Sequence, residues 1–419
     1  MASMAASDAS PATAPTAPPP LLLRGGHVID PAGGVDGPAD VSLADGRVAA
    51  VGPSLQPVAG ATVLDCAGRY VCPGLIDLHG HFYEGSAYGI DPRHELRGGV
   101  TTAVDAGTTG FINFADFRRH TIDGAAVRIL PFIHIGCLGI PTAGLGELLD
   151  LRYARPKETA AMARAHADIV PGIKVRAGVM ARGHNAEALQ LAIDAAEEAK
   201  IRVMVHISRE GDTERLLQML RPGDIVTHCF TGKGGGILHP DSGDLAAAAA
   251  EARRRGVVFD VGHGSGSFRW TTAQKAFEHQ FYPDTISTDL HRYNADRTVY
   301  DLLTTMSKFL LLGMSIQEVV AKATLAPAGA IGREADLGSL AAGRSADVCV
   351  FAVETGEFQL EDSLGVRRSA ERRLVAEHVV VGGQLIDPRT VQAPLRELND
   401  MDQEVYDMSA ATAADAPNY

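Results

Sequence analysis

The chain of 419 residues lacks several features that would place it in a specialised class of protein. No apolar run reaches the ~18 residues that a membrane helix needs, so we expect no membrane association. No basic stretch is long enough to follow a phosphate backbone, and the net charge is −13, which argues against nucleic-acid binding. The 5 cysteines are widely spaced and form no CxxC pair, so we expect no disulfide framework and a reducing, cytoplasmic compartment.

The two chain ends lack the features of folded or targeting segments. Residues 1–20 are rich in Ala, Pro, Ser and Thr and contain neither Lys nor Arg nor an apolar core. We therefore expect a disordered tail there, and neither a secretory signal nor a transit peptide. At the other end, we assign residues 396–419 to a C-terminal tail.

Short β runs separated by glycine turns fill residues 21–71 and return at 335–395. Within the first segment, Asp45-Gly46 stands between two apolar runs, which is a strong signal for a two-residue hairpin turn. We therefore predict that both chain ends build one small β-sandwich domain.

The middle of the chain, residues 72–334, alternates short apolar runs with longer helical patterns. This alternation is typical of repeated βα units around a parallel sheet. We predict strands near 75–79, 101–105, 129–135, 170–175, 202–206, 224–228, 257–261 and 285–289. The clearest helical patterns lie at 185–200, 245–255 and 297–312. Eight strands over roughly 250 residues predict an α/β fold of the (β/α)8 TIM-barrel type.

Polar residues that can bind metals stand at the downstream ends of these apolar runs. His79 and His81 are two residues apart and therefore point the same way on a strand. Four further residues occupy comparable positions after later runs: Lys174, His206, His228 and Asp289. Because barrel enzymes place their chemistry at the carboxyl ends of the strands, this set predicts a dinuclear metal site and a metal-dependent hydrolase.

Nucleophilic catalysis is the competing chemistry. A cysteine nucleophile would point to Cys229, but this residue follows His228 directly and so faces the opposite side of its strand, towards the helices. The chain also lacks a G-x-S-x-G motif for a serine nucleophile. We therefore interpret Cys229 as a core residue.

Several segments carry a resemblance to a known family, and they lie at 73–81, 99–102, 105–107, 228–230, 259–264 and 287–291. On these segments the chain resembles the amidohydrolase superfamily over residues 21–385. Within that superfamily it is similar to the dihydroorotase-like amidohydrolase/deacetylase subgroup, which includes acetyl-(R)-mandelate esterases.

The resemblance implies two divalent metal ions, with zinc as the expected metal. His79 and His81 would hold the more buried ion. His206 and His228 would hold the other. Lys174 would bridge both ions after carboxylation by CO2, because a carbamate is an anion with two oxygens, whereas an ammonium group would be repelled. The alternative for this lysine is a surface position.

The resemblance also gives Asp289 a catalytic role beside its role as a ligand. It would take the proton of a metal-bridging hydroxide that attacks the carbonyl carbon, and pass this proton to the leaving group. The alternative for Asp289 is a structural cap. A non-catalytic assembly protein on the same fold is the weaker interpretation of the chain, because all six ligand positions are filled.

Three residues are candidates for substrate contacts. Arg176 lies two residues past the bridging lysine and suits carboxylate capture, with a salt bridge at the barrel rim as the alternative. His291 follows Asp289 by two residues and is expected to contact substrate or to orient the aspartate. His263 belongs to a glycine-rich rim loop, 262–267, that we expect to contact substrate.

One departure from the family pattern narrows the substrate. Dihydroorotases usually carry an arginine two residues after the second histidine of the pair, and this chain has Tyr83 there. We therefore predict a hydrolase that cleaves an ester or amide bond of a small carboxylate-bearing molecule, such as an O-acetyl or N-acyl α-substituted acid. The alternative is an amidase on N-acyl amino acids or on cyclic amides, as in dihydroorotases and hydantoinases. The quaternary state is left open and is compatible with a homo-oligomer.

Overall fold

The computed structural model describes residues 18–178, 181, 183–207, 212–232 and 236–397. These residues form two sheets of eight strands, one built from both chain ends and one parallel sheet built from the middle of the chain. None of the helices in these ranges has the length and apolar character needed to cross a membrane. The α/β fold with a β unit from both chain ends is confirmed.

The first sheet joins the two ends of the chain. Its strands are β1 (Leu21–Asp30), β2 (Val35–Ala44), β3 (Arg47–Gly52), β4 (Thr62–Asp65), β5 (Tyr70–Pro73), β14 (Val348–Glu361), β15 (Arg367–Val381) and β16 (Gln384–Ile386). The strand order is β16-β15-β14-β5-β1-β2-β3, with β4 paired to β1. β5 and β14 pair antiparallel with Cys72 opposite Cys349, so the two ends of the chain are held together by main-chain hydrogen bonds.

The predicted hairpin turn at Asp45-Gly46 is present between β2 and β3. The two strands pair antiparallel, with Ala44 opposite Arg47. Asp45 and Gly46 have φ angles of 53° and 70°, which are the left-handed conformations that a two-residue hairpin turn requires. The aspartate-glycine pair therefore fixes the register of this hairpin.

The parallel sheet forms the barrel. Its strands are β6 (Leu75–Gly80), β7 (Val100–Gly110), β8 (Arg128–Ile129), β9 (Phe132–His134), β10 (Gly172–Arg176), β11 (Arg202–His206), β12 (Ile225–Thr227) and β13 (Val258–Phe259). Their order is β13-β12-β11-β10-β9-β7-β6, with β8 paired to β7. β8 and β9 are two pieces of the strand predicted at 129–135.

The predicted eighth strand, 285–289, differs from its neighbours. It is joined to them by single bridges, from Thr285 to Asp260 on one side and from Leu290 to Gly80 on the other. Asp289 has a φ of 52°, which interrupts an extended ladder at this point. The segment still closes the barrel between β13 and β6, and it brings Asp289 to the same end as the other candidate ligands.

Helices follow the strands as the alternation predicts. They are α1 (Arg93–Arg97), α2 (Phe114–Phe117), α3 (Pro156–Ala165), α4 (Asn185–Ala199), α5 (Thr213–Met219), α6 (Ala247–Arg254), α7 (Trp270–Glu278), α8 (Leu302–Leu311), α9 (Ile316–Ala321) and α10 (Leu325–Ala330). The three helices predicted from periodicity correspond to α4, α6 and α8. α8 begins later than predicted because the Asp301 side chain caps it, accepting a hydrogen bond from Thr304 N at 2.6 Å.

The barrel strands are buried because both of their faces are covered. Every residue of β6 and β7 is buried, as expected for strands that are covered on both faces. β15 also packs against the barrel, since Leu374 N donates to Ser307 Oγ of α8 at 2.9 Å. The predicted domain limits at 21–71, 72–334 and 335–395 stay a prediction, and the predicted tails lie almost wholly outside the described residues.

Candidate active site

The first three candidate ligands meet where two strand ends converge. His79 lies near the end of β6, His81 follows that strand, and Asp289 lies in the segment that closes the barrel beside it. Asp289 Oδ1 is 3.3 Å from His79 Nε2 and 3.1 Å from His81 Nε2. The ligand atoms of the three residues all lie within 4.8 Å of one another. This spacing suits a metal ion held by two imidazoles and a carboxylate.

A threonine and a buried aspartate fix the orientation of His79. Its Nδ1 is 2.8 Å from Thr227 Oγ1, which donates to Asp260 Oδ2 at 2.8 Å. Asp260 also accepts hydrogen bonds from the hydroxyls of Thr285 and Ser287 at 2.7 and 2.8 Å. Because Thr227 uses its only hydroxyl proton on Asp260, it accepts from His79, so Nδ1 carries the ring proton. The Nε2 lone pair of His79 therefore faces the cluster.

His81 is oriented in the same way, by a threonine hydroxyl that is itself hydrogen-bonded to an aspartate (together called a threonine relay below). Its Nδ1 is 2.8 Å from Thr108 Oγ1, which donates to Asp105 Oδ2 at 2.8 Å. Asp105 also accepts a hydrogen bond from Phe82 N at 2.8 Å. Burial lowers the pKa of both His79 and His81 well below the usual value, so both rings are neutral at neutral pH. Neutral imidazoles with oriented lone pairs are the form that binds metals.

Lys174 of β10 lies beside this cluster. It is 1% exposed, and its Nζ is 3.4 Å from His79 Nε2 and 3.5 Å from Met204 Sδ. Gly107 allows this approach, because a Cβ there would lie 2.5 Å from Lys174 Cβ. Burial lowers the pKa of Lys174 to about 7, so the neutral amine is accessible near neutral pH. The structure thus places this lysine among the candidate ligands and away from the surface.

The remaining two histidines lie at the next two strand ends. β11 ends at His206, and His228 directly follows β12. The ring centroids of these two residues are 4.2 Å apart, and the His228 ring is 5.1 Å from that of His79. Because His228 Nδ1 lies 2.7 Å from the carbonyl oxygen of Gly262, which can only accept, Nδ1 carries the proton. Its Nε2 is a buried acceptor without a hydrogen-bond partner among the described residues.

The donor set fits divalent metal ions. Imidazole nitrogens and carboxylate oxygens are ligands that zinc prefers in proteins. The tautomers derived above leave the Nε2 lone pairs of His79, His81 and His228 for such a bond, and that of His228 otherwise has no compensating contact. All six predicted ligands line one cavity of about 50 Å³, together with Tyr88, Ile140, Arg176 and His291.

Arg176 faces this cavity, and its charge is paired. Its Nη1 donates to Glu147 Oε1 at 2.6 Å, and Glu147 Oε2 lies 3.0 Å from His134 Nε2. Burial alone would raise the pKa of Glu147, but the adjacent Arg176 and His134 bring it down to about 2. Arg176 thus lines the cavity and forms an ion pair, and its contact with a substrate carboxylate stays a prediction.

His291 also lines the cavity. Its Nδ1 accepts a hydrogen bond from Tyr293 N at 3.1 Å, so its proton is on Nε2, which lies 3.1 Å from Ser265 Oγ. Burial lowers the pKa of His291 to about 4. The residue is therefore a neutral hydrogen-bond donor, and its contact with substrate stays a prediction.

The structure places His263 outside the cavity lining, and its contact with substrate stays a prediction. Its ring stacks on Phe268 at 4.7 Å, and its Nε2 is 2.9 Å from Lys308 Nζ in a buried environment. The neighbouring glycines also have a packing role, since a Cβ at Gly262 would collide with His228 and one at Gly264 with Asp289. The loop is glycine-rich because it packs against two candidate ligands in left-handed conformations.

Tyr83 and Cys229 lie away from the cavity lining. The Tyr83 hydroxyl donates to Asp116 Oδ2 at 3.0 Å, and its ring packs edge-on against Phe117. Cys229 is fully buried, and burial raises the pKa of its thiol well above the usual value. The interpretation of Cys229 as a core residue agrees with this position.

A (β/α)8 barrel with histidines, a lysine and an aspartate converging at its strand ends defines a class of metal-dependent hydrolases. The chain belongs to the amidohydrolase family, since the model described as "Amidohydrolase family" matches residues 70–386. The chain is therefore a hydrolase of this family, and the resemblance identified from its sequence is confirmed.

Known relatives of similar length carry the name deacetylase. A deacetylase from Agrobacterium fabrum is 34% identical over 350 residues, which cover 82% of this chain and 85% of the relative. A deacetylase from Enterococcus faecalis is 33% identical over 373 residues, which cover 88% of this chain and 99% of the relative.

Solved structures confirm the fold. A structure described as an adenine deaminase has a TM-score of 0.82 at 32% identity, covering 88% of this chain and 99% of that chain. A structure described as a dihydroorotase has a TM-score of 0.81 at 32% identity, with the same coverage of both chains. Since similar folds carry these different names, the architecture does not identify the substrate.

Proposed function

We propose that this chain cleaves the ester or amide bond of a small acylated carboxylic acid, with two divalent metal ions, zinc being the expected metal. The observation that carries the proposal is the convergence of all six predicted ligands on one cavity, with Arg176 at its wall. The deacetylase names of relatives that match along most of their length support an acyl group as the part that is removed.

In the proposed centre, His79, His81 and Asp289 hold one ion. His206 and His228 hold the other. Bound divalent ions would polarise the substrate carbonyl and lower the pKa of a bound water, so that hydrolysis proceeds at neutral pH. The chain's part is to orient the ligands, and the two threonine relays do this for the first pair of histidines.

Lys174 is proposed to be carboxylated and to connect the two halves of the centre. Its burial beside His79 supports this role, because a protonated ammonium at that place would repel divalent cations. A carbamate on Nζ would be an anion with two oxygens, and so would supply Lys174 with ligand atoms for both ions of the proposed centre.

Asp289 is proposed to move the proton. Its Oδ1 already lies within 3.3 Å of both histidines of the first pair, so the carboxylate is positioned at the place where water would be activated. As a base it takes the proton of the attacking water, and as an acid it returns this proton to the leaving oxygen or nitrogen. Both transfers occur at the cavity wall that Asp289 forms.

The preferred substrate class is an O-acetyl or N-acyl α-substituted carboxylic acid. Arg176 supports a carboxylate, because a guanidinium facing a buried cavity is suited to bind one. Tyr83 supports a departure from dihydroorotate, because it stands at the position of the usual arginine and donates to Asp116 instead of lining the cavity.

The test is turnover of the zinc-loaded protein with O-acyl hydroxy acids, N-acyl amino acids, dihydroorotate and adenine, with both enantiomers of each chiral compound. We expect hydrolysis of at least one acylated acid with clear preference for one hand, and none of the two heterocycles. Turnover of dihydroorotate or adenine ahead of every acylated acid would refute the proposed substrate class.

A cytoplasmic location is also proposed. It is supported by the five cysteines, all of which are free thiols and four of which are buried. Alkylation of the denatured protein isolated from its source cell should label five thiols per chain, whereas fewer would indicate an oxidising compartment.

A further inference from the structure

A loop between β9 and α3 covers one side of the cavity. The loop is closed at its base, where Cys137 N donates to Tyr153 O at 2.9 Å and Arg155 N to Ile135 O at 3.4 Å. Ile140 of this loop lines the cavity. Loops whose ends are tied in this way commonly carry binding determinants on a fixed scaffold.

Glu147 links this loop to the barrel through a buried ion pair with Arg176. Its side chain is 0% exposed, and its two oxygens contact two different strands: Oε1 accepts from Arg176 Nη1 of β10, and Oε2 lies 3.0 Å from His134 Nε2 of β9. His134 Nδ1 accepts a hydrogen bond from Gly136 N at 2.9 Å, so the His134 proton is on Nε2. Nε2 lies 3.0 Å from Glu147 Oε2, but the two atoms form no hydrogen bond. The Glu147 carboxylate is therefore hydrogen-bonded to Arg176 through Oε1, with His134 in close contact at Oε2.

These contacts determine what Arg176 can offer to a ligand. One Nη1 proton is fixed on Glu147, and the pair lies in a buried environment where the arginine side chain is 14% exposed. A guanidinium has five N–H donors in a rigid plane, so holding one corner sets the direction of the others. Removal of the glutamate would leave Arg176 free to turn towards Asp289, whose charge also acts on it.

We propose that Glu147 is a positioning residue that orients Arg176 towards the carboxylate of the substrate. The proposal rests on the proposed function, because it takes Arg176 as the carboxylate anchor. Glu147 acts through Arg176 and does not contact the reacting atoms. It therefore contributes to the choice between charged and neutral substrates and leaves the chemistry at the metal-binding end of the cavity unchanged.

The test compares an O-acyl hydroxy acid with its neutral carboxamide in the wild type, Glu147→Gln, Arg176→Met and the double variant. Glu147→Gln removes the negative charge that holds Arg176, and a neutral amide oxygen accepts more weakly from a guanidinium than a carboxylate does. We expect kcat/KM for the anionic substrate to fall about tenfold or more, mainly through KM, and kcat/KM for the carboxamide to change less than about threefold.

The double variant separates positioning from a general structural role. If Glu147 acts through Arg176, Glu147→Gln should add less than about a twofold loss in the Arg176→Met background. Glu158→Gln is the matched control, because Glu158 forms an exposed pair with Arg155 just beyond the same loop, and it should leave both substrates unaffected. Where Glu147→Gln fails to fold, Glu147→Asp keeps the charge, withdraws it from Arg176, and should show the same selective loss.

Two results would overturn the proposal in different ways. Equal losses for the anionic and neutral substrates in Glu147→Gln, or a full additional loss in the double variant, would show that Glu147 supports the structure of the loop only. A wild-type protein with no preference for the anionic substrate would refute the carboxylate in the proposed function itself, whatever Glu147 does.

Discussion

The two halves of the proposed metal centre differ in how their histidines are held. His79 and His81 each contact a threonine hydroxyl that in turn donates a hydrogen bond to a buried aspartate. The two histidines are 1% and 5% exposed. His228 is held by the main-chain carbonyl of Gly262, and His206 is only partly buried. The first half is therefore fixed by charged anchors within the barrel, whereas His228 of the second half is oriented by the main chain of a loop.

This difference has a consequence for metal affinity. A carboxylate behind the anchoring hydroxyl increases the electron density on the imidazole and locks its orientation, and a neutral carbonyl does this less. We therefore infer that, in the proposed centre, an ion at His79 and His81 would be held more tightly than one at His206 and His228. Lys174 and Asp289 lie beside these histidines, so their variants test the connection between the two halves.

The largest effect is expected for Lys174→Ala. Loss of the bridging anion should remove metal and abolish activity, because the remaining ligands of the second half are two neutral imidazoles. Elemental analysis should then give one ion or fewer per chain. Added formate or acetate should restore part of the metal and part of the turnover by supplying the missing oxygens. Full metal content and full activity of Lys174→Ala without such additives would show that the lysine is no bridge.

Asp289→Asn should follow, with a decrease of kcat by about 10²-fold or more, the usual contribution of a positioned acid and base. The amide keeps the shape and one ligand oxygen, so metal content should be largely retained. Steady-state turnover assays on protein of verified metal content measure this change in kcat. Near-normal kcat in the metallated variant would assign the proton transfer to another group, with His291 as the next candidate at the cavity wall.

Loss of the threonine hydroxyl behind His79 or His81 should have a smaller effect, and it should weaken the binding of one ion more than that of the other. Thr227→Val and Thr108→Val each remove the hydroxyl that fixes one histidine, and loss of such a partner costs about 10–100-fold in metal affinity or activity. Thr227→Ser and Thr108→Ser are matched controls, since they keep the hydroxyl and lose only a methyl group. Competition with a chelator should show that the valine variants weaken the more tightly bound ion. If they weaken only the loosely bound ion, the assignment of the relays to the first half is wrong.

The fold was predictable to the extent that short-range patterns determine it. Short apolar runs between helical patterns predicted seven strands of the barrel. Because residues two apart on a strand point the same way, their spacing also predicted that His79 and His81 share one face. The eighth strand was less regular than predicted, because Asp289 adopts a left-handed conformation that no pattern of apolar residues reports. The hairpin at Asp45-Gly46 was predictable because its residues alone satisfy the turn.

The site was predictable for its ligands and not for the residues that hold them. Thr227 precedes His228 in sequence but contacts His79, and this contact depends on the closed barrel, which brings the ends of β6 and β12 together. Glu147 lies in a loop without periodicity, so its pairing with Arg176 became visible only in three dimensions. The close packing of Gly262 and Gly264 against His228 and Asp289 was likewise not visible in the sequence, because it joins separate strand ends.

The stepwise reconstitution of metal-free protein tests the central claim most directly. Zinc is added to the apoprotein in known equivalents, and bound metal and turnover are measured at each step. We predict that the first equivalent binds tightly and yields little activity, and that full activity appears only as the second is bound. Full activity at one equivalent, with no gain from a second, would contradict a dinuclear centre formed by His79, His81, Lys174, His206, His228 and Asp289.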